Sequence, residues 1–243
     1  MAPARVDILG VGFDRIDLAA AAERIIERHA AGQRTFVITA NPEFVMLARA
    51  DAELGEIARE ADLVVADGTG VLVASRVLGD PLPGRVPGRV LVPAVLQLAS
   101  GPVFLLGAAP GVAERAAATL VRRIPSLQVV GTHAGSPVPE EDQAMRARIE
   151  ASGARVLLVA YGMPAQERWI ARNLPLLPSI RTAIGVGGVF DQLAGRVRLP
   201  PRFVHAIGLE WLWRLVFEPR RWRRQRALPV FATLVLRQRI LGR

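Results

Sequence analysis

Five clusters of residues fit for chemistry recur along this chain: Thr39-Ala-Asn41-Pro-Glu43, Ala66-Asp67-Gly68-Thr-Gly70, Gly107-Ala-Ala-Pro-Gly111, Tyr161-Gly162-Met-Pro-Ala-Gln166-Glu167 and Gly185-Val-Gly187-Gly188-Val-Phe-Asp191. Between them they combine glycines with carboxylates, amides and a hydroxyl. A glycine-rich turn that enters a helix suits a diphosphate, because small residues let the ligand approach backbone amides closely. Arg85, in a loop with Pro81, Pro83 and Pro87, would bring a guanidinium to neutralise a departing phosphate. The chemistry these groups favour is transfer of a group away from phosphate without a metal, arginines and amide dipoles holding the charge that leaves.

Each cluster also has a plain structural reading. Asp67-Gly68 fits a helix N-cap with a turn glycine, Gly107 to Gly111 a strand-to-helix turn, Asn41 a cap, and Gln166-Glu167 a solvated first turn. Arg85 fits a surface charge and His133 a loop residue. Convergence favours the chemical reading. Every cluster follows an apolar run, and an open parallel sheet binds ligands beyond the carboxyl ends of its strands, so all five should line one crevice. Nicotinamide chemistry fails on spacing: Gly10-Val-Gly12 has Ile16 near the place of a third glycine, and Gly185-Val-Gly187 has none in register. His29, His133 and His205 are scattered, no His-Glu or Asp-x-Asp cluster suggests a metal, and the absence of cysteine rules out disulfides and thiolate sites.

The apolar runs are Thr35 to Thr39, Asp62 to Ala66, Val103 to Leu106, Leu127 to Val130, Val156 to Ala160 and Thr182 to Val186, which read as buried parallel strands. Helices are expected over Leu18 to His29, Pro42 to Arg59, Gly111 to Arg123, Glu140 to Ala151 and Pro164 to Asn173, with Pro42, Pro110 and Pro164 at first helical positions. This alternation predicts an α/β fold, an open Rossmann-like, mostly parallel sheet flanked by helices. Gly79 to Gly88 is the expected long loop. The regular alternation stops after Pro200, which divides the chain into an α/β domain over 1–200 and a basic, helical, tryptophan-bearing appendage over 201–243.

Charge separates the two parts. Residues 1–200 hold 21 Arg against 20 acidic residues, whereas 201–243 hold 10 Arg against Glu210 and Glu218. Trp211, Trp213 and Trp222 lie among these arginines, and such rings favour the boundary between lipid headgroups and acyl chains. Asp7 and Asp14 interrupt the N-terminal stretch, so no secretory signal core is expected. The stretch from Phe203 to Phe217 is too short and too polar to span a bilayer, so membrane contact should be peripheral.

Taken together the clusters resemble the WecG/TagA/CpsF family of bacterial glycosyltransferases over nearly the whole chain. The resemblance rests on Thr39 to Glu43, Ala61 to Gly70 with Ser75-Arg76, Arg85-Val-Pro-Gly88, Gly162-Met-Pro-Ala-Gln166-Glu167 with Trp169, Gly185 to Asp191, and Gly208-Leu-Glu210-Trp211-Leu-Trp-Arg214-Leu with Glu218-Pro-Arg220. It implies an inverting, metal-independent enzyme with no cofactor. Such an enzyme moves N-acetylmannosamine, or a related hexose or uronic acid, from a UDP-sugar to an undecaprenyl-diphosphate-linked sugar, for cell-surface polysaccharide or teichoic acid synthesis at the inner face of the plasma membrane. Asp67 would then be the general base. Thr39 and Asn41 would hold sugar or phosphate, Gly68, Gly107 and Gly162 would admit the ligand, Gln166 and Glu167 would orient the donor, and Arg85 would face the diphosphate. Arg76 and Asp191 complete the substrate-binding set. The chain departs from the family pattern at Ala165, Pro87 and Val90, and more mildly at Arg198-Leu-Pro200, which leaves the sugar open.

A polyprenyl-anchored acceptor never leaves the bilayer, so an anionic membrane surface is the expected partner of the tail. Arg214, Arg221 and Arg224 would in addition fold over the crevice to stabilise the leaving diphosphate. Two other readings compete: a nucleotide-sugar transferase with a soluble acceptor, and nucleic-acid binding by the tail. The tail lacks helix-turn-helix spacing, a zinc pattern or an aromatic sheet motif, so no nucleic acid is expected. A homo-oligomer stays open, with no interface motif to identify it.

Overall fold

The computed structural model describes residues 5–99, 101–197, 213, 222 and 226–242. The chain opens with an antiparallel hairpin, β1 (Arg5–Ile8) and β2 (Val11–Asp14). Its two-residue turn, Leu9-Gly10, has positive φ at both positions (55° and 90°), the twist that joins adjacent strands with least splay. The first glycine of Gly10-Val-Gly12 therefore turns a hairpin. Asp14 fastens the hairpin to the body: its Oδ2 accepts from the Val64 amide at 2.8 Å and lies 3.3 Å from the Arg5 guanidinium.

The alternating segments are α1 (Leu18–Ala30), β3 (Thr35–Ala40), α2 (Pro42–Ala50), α3 (Ala52–Glu60), β4 (Leu63–Ala66), α4 (Thr69–Val77), α5 (Gly88–Leu98), β5 (Val103–Gly107), α6 (Val112–Arg123), β6 (Val129–His133), α7 (Asp142–Ala151), β7 (Val156–Ala160), α8 (Ala165–Asn173), β8 (Thr182–Gly185), α9 (Val189–Leu193) and α10 (Ala227–Leu241). Strands β3 to β8 form one sheet in the order β4-β3-β8-β7-β5-β6, parallel throughout. Its central strands are buried on both faces, hence their unbroken apolar runs. Alternate residues feed two cores. Phe36, Ile38, Leu157 and Val159 join α2, α3, α8 and the hairpin on one side. Val37, Leu105, Leu158 and Ile184 join α1, α5, α6 and α9 on the other.

Three expectations about elements need correction. Pro42 to Arg59 is two helices, because Asp51 leaves helical geometry (φ −132°, ψ 104°) and its side chain caps α3 at the Leu54 amide, 3.1 Å away. Pro42 is a first helical residue, but Pro164 is the N-cap of α8 and Pro110 lies ahead of the Gly111 N-cap of α6. The strand read at Leu127 to Val130 runs instead from Val129 to His133, so His133 ends an edge strand. A shift in β5–β6 register sets Gly131 against the Phe104 ring, where a Cβ would come within 2.4 Å.

Helix α10 lies against α2 and α4 and buries Phe231 and Val235 in the first core. Gln238 locks it to the hairpin, its Oε1 accepting from the Leu9 amide at 3.0 Å and its Nε2 donating to Asp7 at 3.1 Å. Among the described residues no helix is long and apolar enough to cross a membrane.

Candidate active site

A cavity of about 690 Å³ opens at the carboxyl ends of β4, β3, β8 and β7. Four of the five sequence clusters contribute to it: Thr39 to Glu43, Asp67 to Gly70, Gly162 to Gln166, and Val186 to Val189. The proline-rich connection adds Arg85, Pro87 and Arg89. The lining also includes an apolar wall built from Val73, Ala74 and Val77 of α4 with Phe231, Val235 and Leu236 of α10.

Backbone hydrogen bonds carry Arg85 to the cavity. The Val86 amide donates to the Ala66 carbonyl at 2.8 Å, which extends the end of β4, and the Leu82 amide donates to the buried Ser75 Oγ at 3.0 Å. Arg85 Nη1 then donates to Thr69 Oγ1 at 3.2 Å. The guanidinium therefore sits at the N-terminus of α4, where the helix dipole already favours an anion. Gly68 is the N-cap of that helix. Asp67 thus precedes the cap, is set on the cavity wall, and is tied through its amide to the Ala40 carbonyl at 2.8 Å.

Thr39 is nearly buried and donates through Oγ1 to the Gly185 carbonyl at 3.1 Å, which links β3 to the end of β8. Asn41 lines the cavity and also caps α2, its Oδ1 accepting from the Phe44 amide at 2.9 Å. Gly70 lets α2 and α4 meet: a Cβ there would lie 2.7 Å from Pro42 Cγ.

Gln166 joins two loops. Its Oε1 accepts from the Gly162 amide at 3.2 Å and the Gly187 amide at 3.0 Å, while Nε2 donates to Glu167 Oε1 at 2.8 Å. Glu167 is buried, and loss of solvent pushes its carboxyl up to about 7, only partly offset by the Gln166 hydrogen bond. It reaches Gln166 and does not line the cavity.

Three further expected site residues do not line the cavity. Gly107 ends β5 one strand beyond it, and its φ of 102° with a would-be Cβ 2.7 Å from the Ala160 carbonyl carbon shows that it serves the close approach of β5 to β7. Arg76 is exposed, off the face of α4 that carries Val73, Ala74 and Val77. Asp191 lies 3.7 Å from Arg196, while its neighbour Gln192, about 100° further round α9, lines the cavity. Arg214, Arg221 and Arg224 lie outside the described residues. Sequence reasoning missed Arg89, Gln192 and the α10 wall. Arg89 had a signal, four residues after Arg85 and directly after the same block; the wall residues are ordinary apolar ones with none.

The family model described as the glycosyl transferase WecG/TagA/CpsF family matches residues 6–243. The chain belongs to this family. It is also 35% identical over 234 residues to the N-acetylglucosaminyldiphosphoundecaprenol N-acetyl-beta-D-mannosaminyltransferase of Staphylococcus aureus strain MRSA252, covering 94% of this chain and 91% of the relative. The protein of the same description from strain NCTC 8325 / PS 47 matches with the same identity and coverage. This WecG/TagA/CpsF member is accordingly a glycosyltransferase. The residues its family blocks supply serve two ends: Asp67-Gly68 and Arg85 form the cavity, whereas Ser75 and Trp169 are buried supports.

Proposed function

We propose that this glycosyltransferase moves a sugar, N-acetylmannosamine or a related hexose or uronic acid, from a UDP-sugar to an undecaprenyl-diphosphate-linked sugar with inversion and without a metal. The observation that carries this reading is the meeting, in one cavity, of Asp67, Arg85 at the α4 N-terminus, and an apolar wall. Asp67 takes the proton of the acceptor hydroxyl as its oxygen attacks the anomeric carbon. The bond from that carbon to the diphosphate breaks, and Arg85, Arg89 and the α4 amides hold the charge on departing UDP. The acceptor class follows the description of the staphylococcal relatives, and the apolar wall suits the lipid-linked end of such a molecule.

A lipid-anchored acceptor requires the enzyme at a membrane surface. Support comes from α10, whose outer side exposes Val230, Ile240 and Leu241 beside Arg237. Arginines near anionic lipid contribute about 1 kcal/mol each, so the association is peripheral and reversible, at the cytoplasmic face where UDP-sugars are made.

Mass spectrometry of products from a panel of UDP-sugars with a short-chain polyprenyl-diphosphate-GlcNAc tests the reading. One added sugar residue on the lipid, unaffected by EDTA, is the expected result. Transfer only to a soluble sugar would overturn the acceptor assignment, and loss of activity in EDTA the metal independence.

A further inference from the structure

A carboxamide is nearly symmetric in shape but not in hydrogen bonding. The Gln166 oxygen accepts from the Gly162 and Gly187 amides, so turning the group over would set its NH2 against two N–H donors. The other end enforces the same orientation and anchors the group, where Nε2 donates to Glu167 Oε1 at 2.8 Å. A carboxyl oxygen accepts in either protonation state. Gly185 leaves room for this amide, since a Cβ there would come within 2.9 Å of Gln166 Nε2.

The cost of the arrangement is plain. Glu167 is 1% exposed, and its Oε2 has no hydrogen-bond partner among the described residues. Burying a carboxyl so incompletely satisfied is unfavourable, and a leucine would pack there at lower cost. The loops it governs are parts of the cavity: Gly162 follows β7, Gly187 follows β8, and both have positive φ (80° and 49°), so both lie in turns outside helix and strand.

We propose that Glu167 is a positioning residue of the transferase that acts through Gln166: by accepting from Nε2 it fixes the carboxamide so that one oxygen ties the Gly162 and Gly187 amides and holds the β7 and β8 loops at a set separation. The catalytic consequence rests on the transferase reading above; the clamp does not. Neither residue need touch the sugar. A shift of about 1 Å in such a wall is enough to lower turnover about 100-fold.

Glu167→Leu, Gln166→Leu, the double variant and Glu167→Gln test the inference, each confirmed as folded by its thermal transition. Hydrogen exchange at the Gly162 and Gly187 amides is read without substrate, and kcat and KM with the best donor of the panel. Both leucine variants should speed exchange at the two glycines and lower kcat about 10- to 100-fold. The double variant should be no worse than Gln166→Leu, since residues acting as one unit are non-additive. Glu167→Gln, whose oxygen also accepts, should recover most of the protection and of the rate. Additive losses, unchanged exchange in folded Glu167→Leu, or equal damage from glutamine and leucine would overturn the proposal. If Glu167→Leu does not fold, Glu167→Met takes its place, and loss of protection in folded Glu167→Gln is by itself sufficient to overturn it. A wild-type protein that transfers no sugar would sink the transferase reading and leave the exchange result to judge the clamp.

Discussion

Arg85 and Thr69 are joined by a hydrogen bond of 3.2 Å across the mouth of helix α4, which sets a permanent positive charge beside the first-turn amides of that helix. Replacing Arg85 with alanine should lower kcat by about two to three orders of magnitude, the usual loss when one preorganised donor to a developing anion is removed. Lysine should restore only part, because a point charge cannot bond to Thr69 and a phosphate oxygen in the same planar geometry. Steady-state rates with a saturating donor check both outcomes.

Asp67→Asn keeps the size of the side chain and removes its basicity. Turnover should fall about 100- to 10,000-fold, while donor affinity by titration calorimetry changes little. Wild-type turnover in Asp67→Asn would remove this residue from the mechanism.

Stability should respond to pH through Glu167. Its carboxyl titrates near 7 in the folded protein against 4.5 ordinarily, so between those values the native state keeps a proton that the unfolded chain has lost. The stabilisation is complete below pH 4.5 and falls by about 3 kcal/mol as pH rises to 7. Urea unfolding of wild type and Glu167→Gln at pH 5 and pH 8 isolates this contribution as the difference between the two proteins. Parallel pH dependences would contradict it.

The outer side of α10 gives a test of membrane association. Ile240 is 79% exposed, so Ile240→Asp should leave the fold intact. It should also weaken flotation with anionic vesicles by about tenfold or more, a buried aliphatic side chain being worth about 1.5–3 kcal/mol. Neutral vesicles serve as the control for the arginines.

Much of this architecture was readable because parallel strands and helix caps leave local marks. Val156 to Ala160 is a strand to the residue, and Asn41-Pro42 starts α2 as its residue types require. What escaped was decided by neighbours distant in sequence. Nothing local tells that Gly107 faces Ala160 rather than a ligand, since that depends on β5 lying beside β7. Asp191 and Gln192 share one short helix, and only the packing of α9 turns the second toward the cavity. Helix α5 carries Pro93 in its interior, a signal against the helix that forms. The basic tail drew attention to its charge, yet the part of it that builds the cavity does so with Phe231, Val235 and Leu236.

Helix α10 supplies that wall from the far end of the chain, and Gln238 reaches back 229 positions to Leu9 to hold it there. Domains generally begin to fold from the N-terminus during synthesis. The sheet and its loops can therefore assemble while one side of the pocket still stands open, and a nascent chain has no enclosed cavity until its closing helix has been made.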